Sequence, residues 1–258
     1  MSEKVAHATG LYLDGIRDGN PQAAVEAHTG SRYTQHSTGV PDGRDGFIEF
    51  FEDFLERNPV RDIQILRTLE DGQYVFVHAY QSLNNGEAEW VTLDFFDTDE
   101  NDRIIEHWDV IAEYSDSTPS GHTSVDGATV ITDHDKTESN KAVVRSLIRD
   151  VLMDGGDRSR IDEYISADRY VQHNRDVPDG LESFKALATA DDNPLAYDEI
   201  VLIVGEGNFV ATLSRARWMG IPYAQADLFR LEDGMVVEHW DAAEPVPTPD
   251  VARNSGKF

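Results

Sequence analysis

The sequence predicts an α+β protein built of two tandem cone-shaped domains, each a curved antiparallel sheet wrapped around N-terminal helices. The stretch YTQHSTGVPDG at Tyr33–Gly43 returns as YVQHNRDVPDG at Tyr170–Gly180, at a constant offset of 137. IIEHWDV at Ile104–Val110 returns as VVEHWDA at Val236–Ala242, at an offset of 132. Two matches of several identities in the same order mark a tandem duplication, and the period is far longer than a solenoid repeat, so each copy is a domain. In both copies helical patterns come first and strand patterns follow, the order of an α+β layer arrangement. The offset falls by five between the matches, as short loop deletions in copy two produce, and Asp94 then aligns with Asp227 and Phe96 with Phe229.

Length agrees, since 258 residues divide into two domains of ordinary size. The expected division is copy one at 1–115, a linker at 116–138 and copy two at 139–258. The linker region is rich in Ser, Thr, Gly and Asp. The two cones are expected to pack as an internal pseudo-dimer, through outward strand faces carrying Trp108 and Trp240.

Copy one opens with a helical pattern over Val5–Ile16, then a turn and a short helix with Pro21 in its first turn. Tyr33–Gly43 reads as a loop because Gly39, Pro41 and Gly43 punctuate it. The next helix carries Phe47, Phe50, Phe51, Phe54 and Leu55 on one stripe, with Pro59 just beyond its end. Strands follow at Ile63–Leu69, Tyr74–Leu83, Trp90–Phe96 and Arg103–Glu113, separated by turn signals such as EDGQ and NNGE. Copy two repeats the plan with helices at Asn140–Met153, Arg160–Ile165 and Leu181–Ala190. Its strands are expected at Ile200–Val204, Asn208–Met219, Tyr223–Arg230 and Met235–Glu244. A sheet curled around such helices leaves a conical cavity.

The chain holds 49 acidic and 22 basic residues, a net charge of −27, with 30 Asp and only 5 Lys. The acids are spread over both copies, so the whole surface is acidic and repels nucleic acid and anionic membranes. Scarce Lys with abundant Asp points to a halophilic protein. There is no cysteine, hence no disulfide frame and no thiol chemistry. The first residues lack an apolar signal core and no run of about 18 apolar residues occurs, so a cytoplasmic protein is expected.

Strand alternation sorts the candidates for chemistry. Ile105, His107 and Asp109 share one face; Trp90, Thr92, Asp94 and Phe96 share another; Tyr74, Phe76, His78 and Tyr80 share a third. Each mixes aromatic residues with His or Asp, as the wall of a ligand cavity does. An Asp among aromatics is held from water, which raises its pKa and makes it a better base. Plainer roles compete at several positions. Trp108 and Trp240 suit a core or an interface, His36 and His173 can bond backbone, and Asp42 and Asp179 suit turns. Asp94 and Asp227 are unfavourable mid-strand residues for which a structural salt bridge is the alternative.

YVQHN…VPDG, the strand His of VFVHAY, ADLFRLEDGMVVEHWD and its partner LDFFDTDENDRIIEHWD together resemble the SnoaL-like polyketide cyclases. That family belongs to the nuclear transport factor 2-like, cystatin-like α+β superfamily. The resemblance spans both copies and implies carbon chemistry without cofactor or metal. A carboxylate takes a proton from carbon next to a carbonyl of a small apolar metabolite, in a cyclase, aldolase or isomerase reaction. Carried over, it implies Asp94, Asp109, His107, His78 and His36 as the catalytic set, and the strand alternation above adds Tyr74, Phe76, Trp90 and Phe96 around the ligand. In copy two it implies His173, Asp227, His239 and Asp241. Copy two has Leu213 in place of His78, with Arg215 and Arg217 nearby. Two readings compete: a non-catalytic small-molecule-binding module, and a metal site from His36, His78, His107 and Asp109, which no tight ligand spacing supports. The expected partner is a small-molecule ligand, with no nucleic acid or membrane, and with further homo-oligomerisation left open.

Overall fold

The computed structural model describes residues 1–190 and 195–258. The chain forms two compact units, Met1–Glu113 with Val246–Phe258 (unit 1) and Tyr114–Pro245 (unit 2).

In unit 1, helix α1 (Glu3–Gly10) is capped by Ser2, whose hydroxyl accepts from Val5 N, and runs on into a π-helical segment, Leu11–Arg17. Helix α2 (Pro21–His28) starts on Pro21, whose missing N–H costs nothing at a helix N-terminus. After strand β1 (Thr29–Gln35) comes helix α3 (Gly43–Arg57), and then β2 (Arg61–Asp71), β3 (Tyr74–Leu83), β4 (Ala88–Thr98) and β5 (Ile104–Glu113). The sheet order is β1-β5-β4-β3-β2. All pairings are antiparallel except β1 with β5, which is parallel.

Strand β1 occupies the start of the stretch expected to be a loop. The Gly and Pro signals begin only after Gln35, so the polar strand TGSRYTQ in front of them carries no clear alternation. Its parallel register, Gln35 against His107, sets the polar end of the site.

Unit 2 repeats the plan: α4 (Thr137–Ser146) continuing into a π segment (Leu147–Leu152), a 3-10 turn (Arg158–Glu163), β6 (Val171–Gln172), α5 (Leu181–Thr189), and β7 to β10 at Leu195–Glu206, Phe209–Trp218, Ile221–Glu232 and Met235–Pro245. Its sheet order, β6-β10-β9-β8-β7, is that of unit 1.

The expected linker is built into unit 2, and the segment after β10 is built into unit 1. In unit 2, Trp240 Nε1 donates to the Asp126 carbonyl at 2.9 Å, and His173 Nδ1 lies 2.9 Å from the Thr123 carbonyl. A Cβ at Gly127, where φ is +94°, would meet Glu238 Oε1 at 2.2 Å and Trp240 Cζ2 at 2.8 Å, so only glycine fits this approach. Trp240 is thus covered within its own unit and is 1 % exposed.

In unit 1 the apolar faces of the helices, including Val5, Leu11, Ile16 and Phe47, pack on Val75, Val77, Ala79 and Phe96 of the sheet. In unit 2, Val144, Leu147, Ile148 and Val151 pack with Tyr170, Tyr197, Val210 and Phe229. Among the described residues no helix is long and apolar enough to cross a membrane.

Candidate functional site

Unit 1 encloses a cavity of about 310 Å³ between its helices and the concave face of its sheet. Phe47, Phe50, Phe51 and Phe54 of α3 supply one wall, because residues three and four apart share a helix face. Leu11, Tyr12 and Ile16 of the π segment, Val40, Leu83, Trp90, Phe96 and Ile111 supply the rest. Trp90 lines the cavity yet is 38 % exposed, so the cavity reaches the surface beside it. Tyr33, Gln35, Ser37, Thr38, Gln81, His107 and Asp109 place polar groups in this apolar wall.

At the polar end β4 and β5 set Asp94 opposite Asp109. Asp94 is fully buried; its Oδ1 accepts from Tyr12 Oη at 2.8 Å and lies 2.9 Å from His107 Nε2, while its Oδ2 has no hydrogen-bond partner among the described residues. Gln35 Oε1 accepts from the backbone N–H of His36 at 3.0 Å and of Ser37 at 2.9 Å. The amide is thereby oriented with its oxygen towards His107 Nδ1, 2.9 Å away, so Nδ1 carries a hydrogen. One further proton then lies between His107 Nε2 and Asp94. The imidazole also stacks on Phe96, with ring centroids 4.5 Å apart. Burial holds the Asp94 carboxyl above the usual carboxylate range, against the pull of His107.

Asp109 is shifted the other way. Burial pushes it up, but the Lys257 ammonium, 3.0 Å from Oδ1, together with His107 and the Ser37 hydroxyl, holds it below the ordinary range. Donor atoms of Asp94, His107 and Asp109 lie within 4.8 Å of one another, a spacing a metal ion can use. Within this cluster His107 Nε2 lies 2.9 Å from Asp94 Oδ1, and Lys257 Nζ bonds Asp109 Oδ1.

Several expected site residues lie elsewhere. His78, Tyr74 and Phe76 are on the opposite face of the sheet. Val77 is the residue paired with Asp94, and Val75, Val77 and Ala79 face the helices, so alternation turns the even-numbered residues of β3 outward. There His78 Nδ1 accepts from Arg67 Nη1 at 3.1 Å and Phe76 packs on Phe95. His36 stacks on Trp108, and its Nε2 lies 2.9 Å from Glu106 Oε1, on the face away from Asp109. His173 repeats this with Trp240 and Glu238, at 3.0 Å. Asp42 and Asp179 accept from the backbone N–H of Gln35 and Gln172 and so shape the loop.

The repeated YxQH stretch therefore orients the site histidine from the neighbouring strand. Residues 11–107 match the SnoaL-like domain family model. The match lies within unit 1 and spans the π segment, α2, α3, β1 to β4, Asp94 and His107. A provisionally named polyketide cyclase from Bacillus cereus is 17 % identical over 42 % of this chain and 74 % of its own, with a TM-score of 0.38. An LEH-like epoxide hydrolase from M. tuberculosis is 18 % identical over 43 % of this chain and 83 % of its own, with a TM-score of 0.36. Comparison with curated proteins returns no match.

Unit 2 keeps the frame of unit 1 and changes its charges. His239 Nδ1 lies 3.0 Å from Gln172 Oε1 and its Nε2 3.1 Å from Asp227 Oδ1. Asp227 is fully bonded, by Tyr197, Gln225 and Thr212. Asp241 takes bonds from the amides of Asn174 and Gln225, and burial holds it above the ordinary range. Desolvation lowers the His239 pKa, but its bond to Asp227 and the two carboxylates raise it overall. Arg215 and Arg217 are exposed and paired with Glu199 and Asp198.

The sequence reading missed Tyr12, Gln35, Ser37 and Lys257. Gln35 could have been found, since it is an identity of the repeat with Gln172. Lys257 left no signal, being remote in sequence and without a counterpart in the repeat.

Proposed function

We propose that unit 1 is a cofactor-independent proton-transfer catalyst acting next to a carbonyl of a small apolar metabolite, in a cyclase, aldolase or isomerase reaction. The observation that carries it is the pair of buried carboxylates at the polar end of an apolar cavity, Asp94 held above its ordinary pKa and Asp109 below it. Two carboxyls driven apart in this way divide the acid and base roles at one pH. Asp109 lines the cavity and, ionised, is the base. It takes the proton as the C–H bond breaks, and the electron pair moves to the carbonyl oxygen. Tyr33 lines the cavity and accepts from Gln35 Nε2 at 3.3 Å, which leaves its own O–H for the developing oxyanion. Burial raises the Tyr33 phenol, so it stays a donor. In ring closure the carbanion attacks a second carbonyl, whose oxygen receives the proton back from Asp109. The Asp94–His107 pair behind it keeps one proton beside the base.

The direct test is hydrogen–deuterium exchange at the α-carbon of apolar ketones and β-dicarbonyls in D2O, followed by proton NMR. Asp109→Asn is expected to slow exchange by about 10²–10⁴-fold, and Asp241→Asn to leave it unchanged. If wild type exchanges no compound faster than the Asp94→Asn, Asp109→Asn double variant, catalysis is excluded and the cavity is a binding module.

A further inference from the structure

The positive charge at Asp109 comes from far along the chain. Lys257 lies in the segment Val246–Phe258 of unit 1, and it is one of five lysines in the sequence. Its side chain is 0 % exposed, a state in which lysine is found only when paired. Nζ donates to Asp109 Oδ1 at 3.0 Å and to Thr38 Oγ1 at 3.5 Å. The segment is anchored around it. Asn254 Nδ2 donates to the carbonyls of Ser37 at 2.7 Å and Val40 at 2.8 Å, Ser255 Oγ donates to Asp42 Oδ2 at 2.8 Å, and the Gly256 carbonyl accepts from His36 Nδ1. These are the loop and histidine of the repeated stretch. Lys257 Nζ thus bonds two residues of the cavity wall, Thr38 and Asp109.

We propose that Lys257 is a positioning residue that fixes Asp109 as the ionised base of the unit 1 site, an inference that rests on the proton-abstraction reading above. The groups facing Asp109 are Asp94 from β4, His107 from its own strand, Tyr12 from the π segment, Tyr33 from β1, Ser37 from the loop and Lys257. Burial keeps both tyrosines neutral, and Asp94 and His107 hold a proton between them. Lys257 is the group that brings a fixed opposite charge. At the equivalent place in unit 2, among the described residues, Asp241 takes its hydrogen bonds from the amides of Asn174 and Gln225, which donate without charge, beside His239 and Asp227. The segment after β10 thereby gives the two units different chemistry on one frame.

Carbon-13 NMR titration of the Asp109 carboxyl, assigned with Asp109→Asn, tests this together with the pH profile of α-carbon exchange. In Lys257→Met the Asp109 titration and the acid limb of exchange are expected to move up together by about 1–3 pH units, the effect of losing an adjacent opposite charge. Lys257→Arg, which keeps the charge, is expected to stay near wild type. Lys257→Gln, which keeps a donor and loses the charge, reads the same shift if Lys257→Met does not fold. An Asp109 titration in Lys257→Met or Lys257→Gln that coincides with wild type overturns the proposal. If Asp109 moves as expected but no variant, nor wild type, exchanges any compound, the electrostatic role of Lys257 stands and the proton-abstraction reading falls.

Discussion

Tyr12 and Tyr197 deliver a hydroxyl to equivalent aspartates from different elements. Tyr12 Oη, in the π segment of α1, lies 2.8 Å from Asp94 Oδ1; Tyr197 Oη, on β7, lies 3.0 Å from Asp227 Oδ1. The registers of β3 with β4 and of β8 with β9 put Gln81 and Ala216 in equivalent places, and their partners Ile63 and Tyr197 likewise. The GLYLDGIRDG and SLIRDVLMDG stretches then put Ile148 where Tyr12 stands. One unit has Tyr on the helix and Ile on the strand; the other has the reverse. A buried aspartate needs a donor, and the fold offers two places from which to supply it.

Tyr12→Phe is accordingly expected to cost about 1.5–3 kcal/mol, the range for a hydrogen bond to a charged group. The exchange Tyr12→Ile with Ile63→Tyr is expected to recover part of that loss by copying unit 2. Urea denaturation of the three proteins measures both effects, and equal stability of wild type and Tyr12→Phe would contradict the assignment.

Asp109 and Asp241 stand at equivalent positions and are expected to titrate on opposite sides of the ordinary carboxylate pKa. Asp109 lies below it, because Lys257 and His107 outweigh burial; Asp241 lies above it, because burial dominates. Asp109 therefore contributes stability that is present above the unfolded-state pKa of about 4 and is lost as pH falls through its lowered folded value. For Asp241 the folded state keeps a proton the unfolded chain has released, so its contribution declines as pH rises from about 4 through its raised value. Comparing stability–pH curves of wild type, Asp109→Asn and Asp241→Asn checks the two signs.

Gln35→Leu removes the oxygen that accepts from His36 N, Ser37 N and His107 Nδ1. The His36 N–H keeps its bond to the His107 carbonyl at 2.9 Å, but Ser37 N and His107 Nδ1 are stranded at about 1–3 kcal/mol each, so a loss of stability is expected, along with a freed His107 ring. The change is read by denaturant midpoint and by the His107 ring signals in NMR. Gln172→Leu is expected to do the same to His239, whose Nδ1 lies 3.0 Å from Gln172 Oε1.

The melting temperature is expected to rise with KCl well beyond physiological salt. Repulsion within a chain of net charge −27 is screened over about 10 Å at 0.1 M and about 3 Å at 1 M salt. Calorimetry from low to molar KCl measures it, and a flat profile would argue against a halophilic protein.

The sequence by itself determined the duplication, the α+β order and the four antiparallel strands of each sheet, because helical and strand periods and turn residues act over a few residues, whereas β1 and β6 overlap stretches it read as loops. Alternation on β4 and β5 also gave the expectation of an inward-facing Asp94, His107 and Asp109; His107 and Asp109 line the cavity with Trp90 and Phe96, and Asp94 is buried beside them against His107. Alternation gave His78, Tyr74 and Phe76 a common face as well, but which face of β3 turns inward depends on pairing with β4, and the structure turns theirs outward. Only the tertiary structure brought Tyr12 to Asp94, Gln35 to His107 and Lys257 to Asp109, across separations of 82, 72 and 148 residues. Such contacts leave no periodic trace in the chain. The charge of a buried carboxylate is set by whatever packs against it, so the different states of Asp109 and Asp241 were decided by that packing.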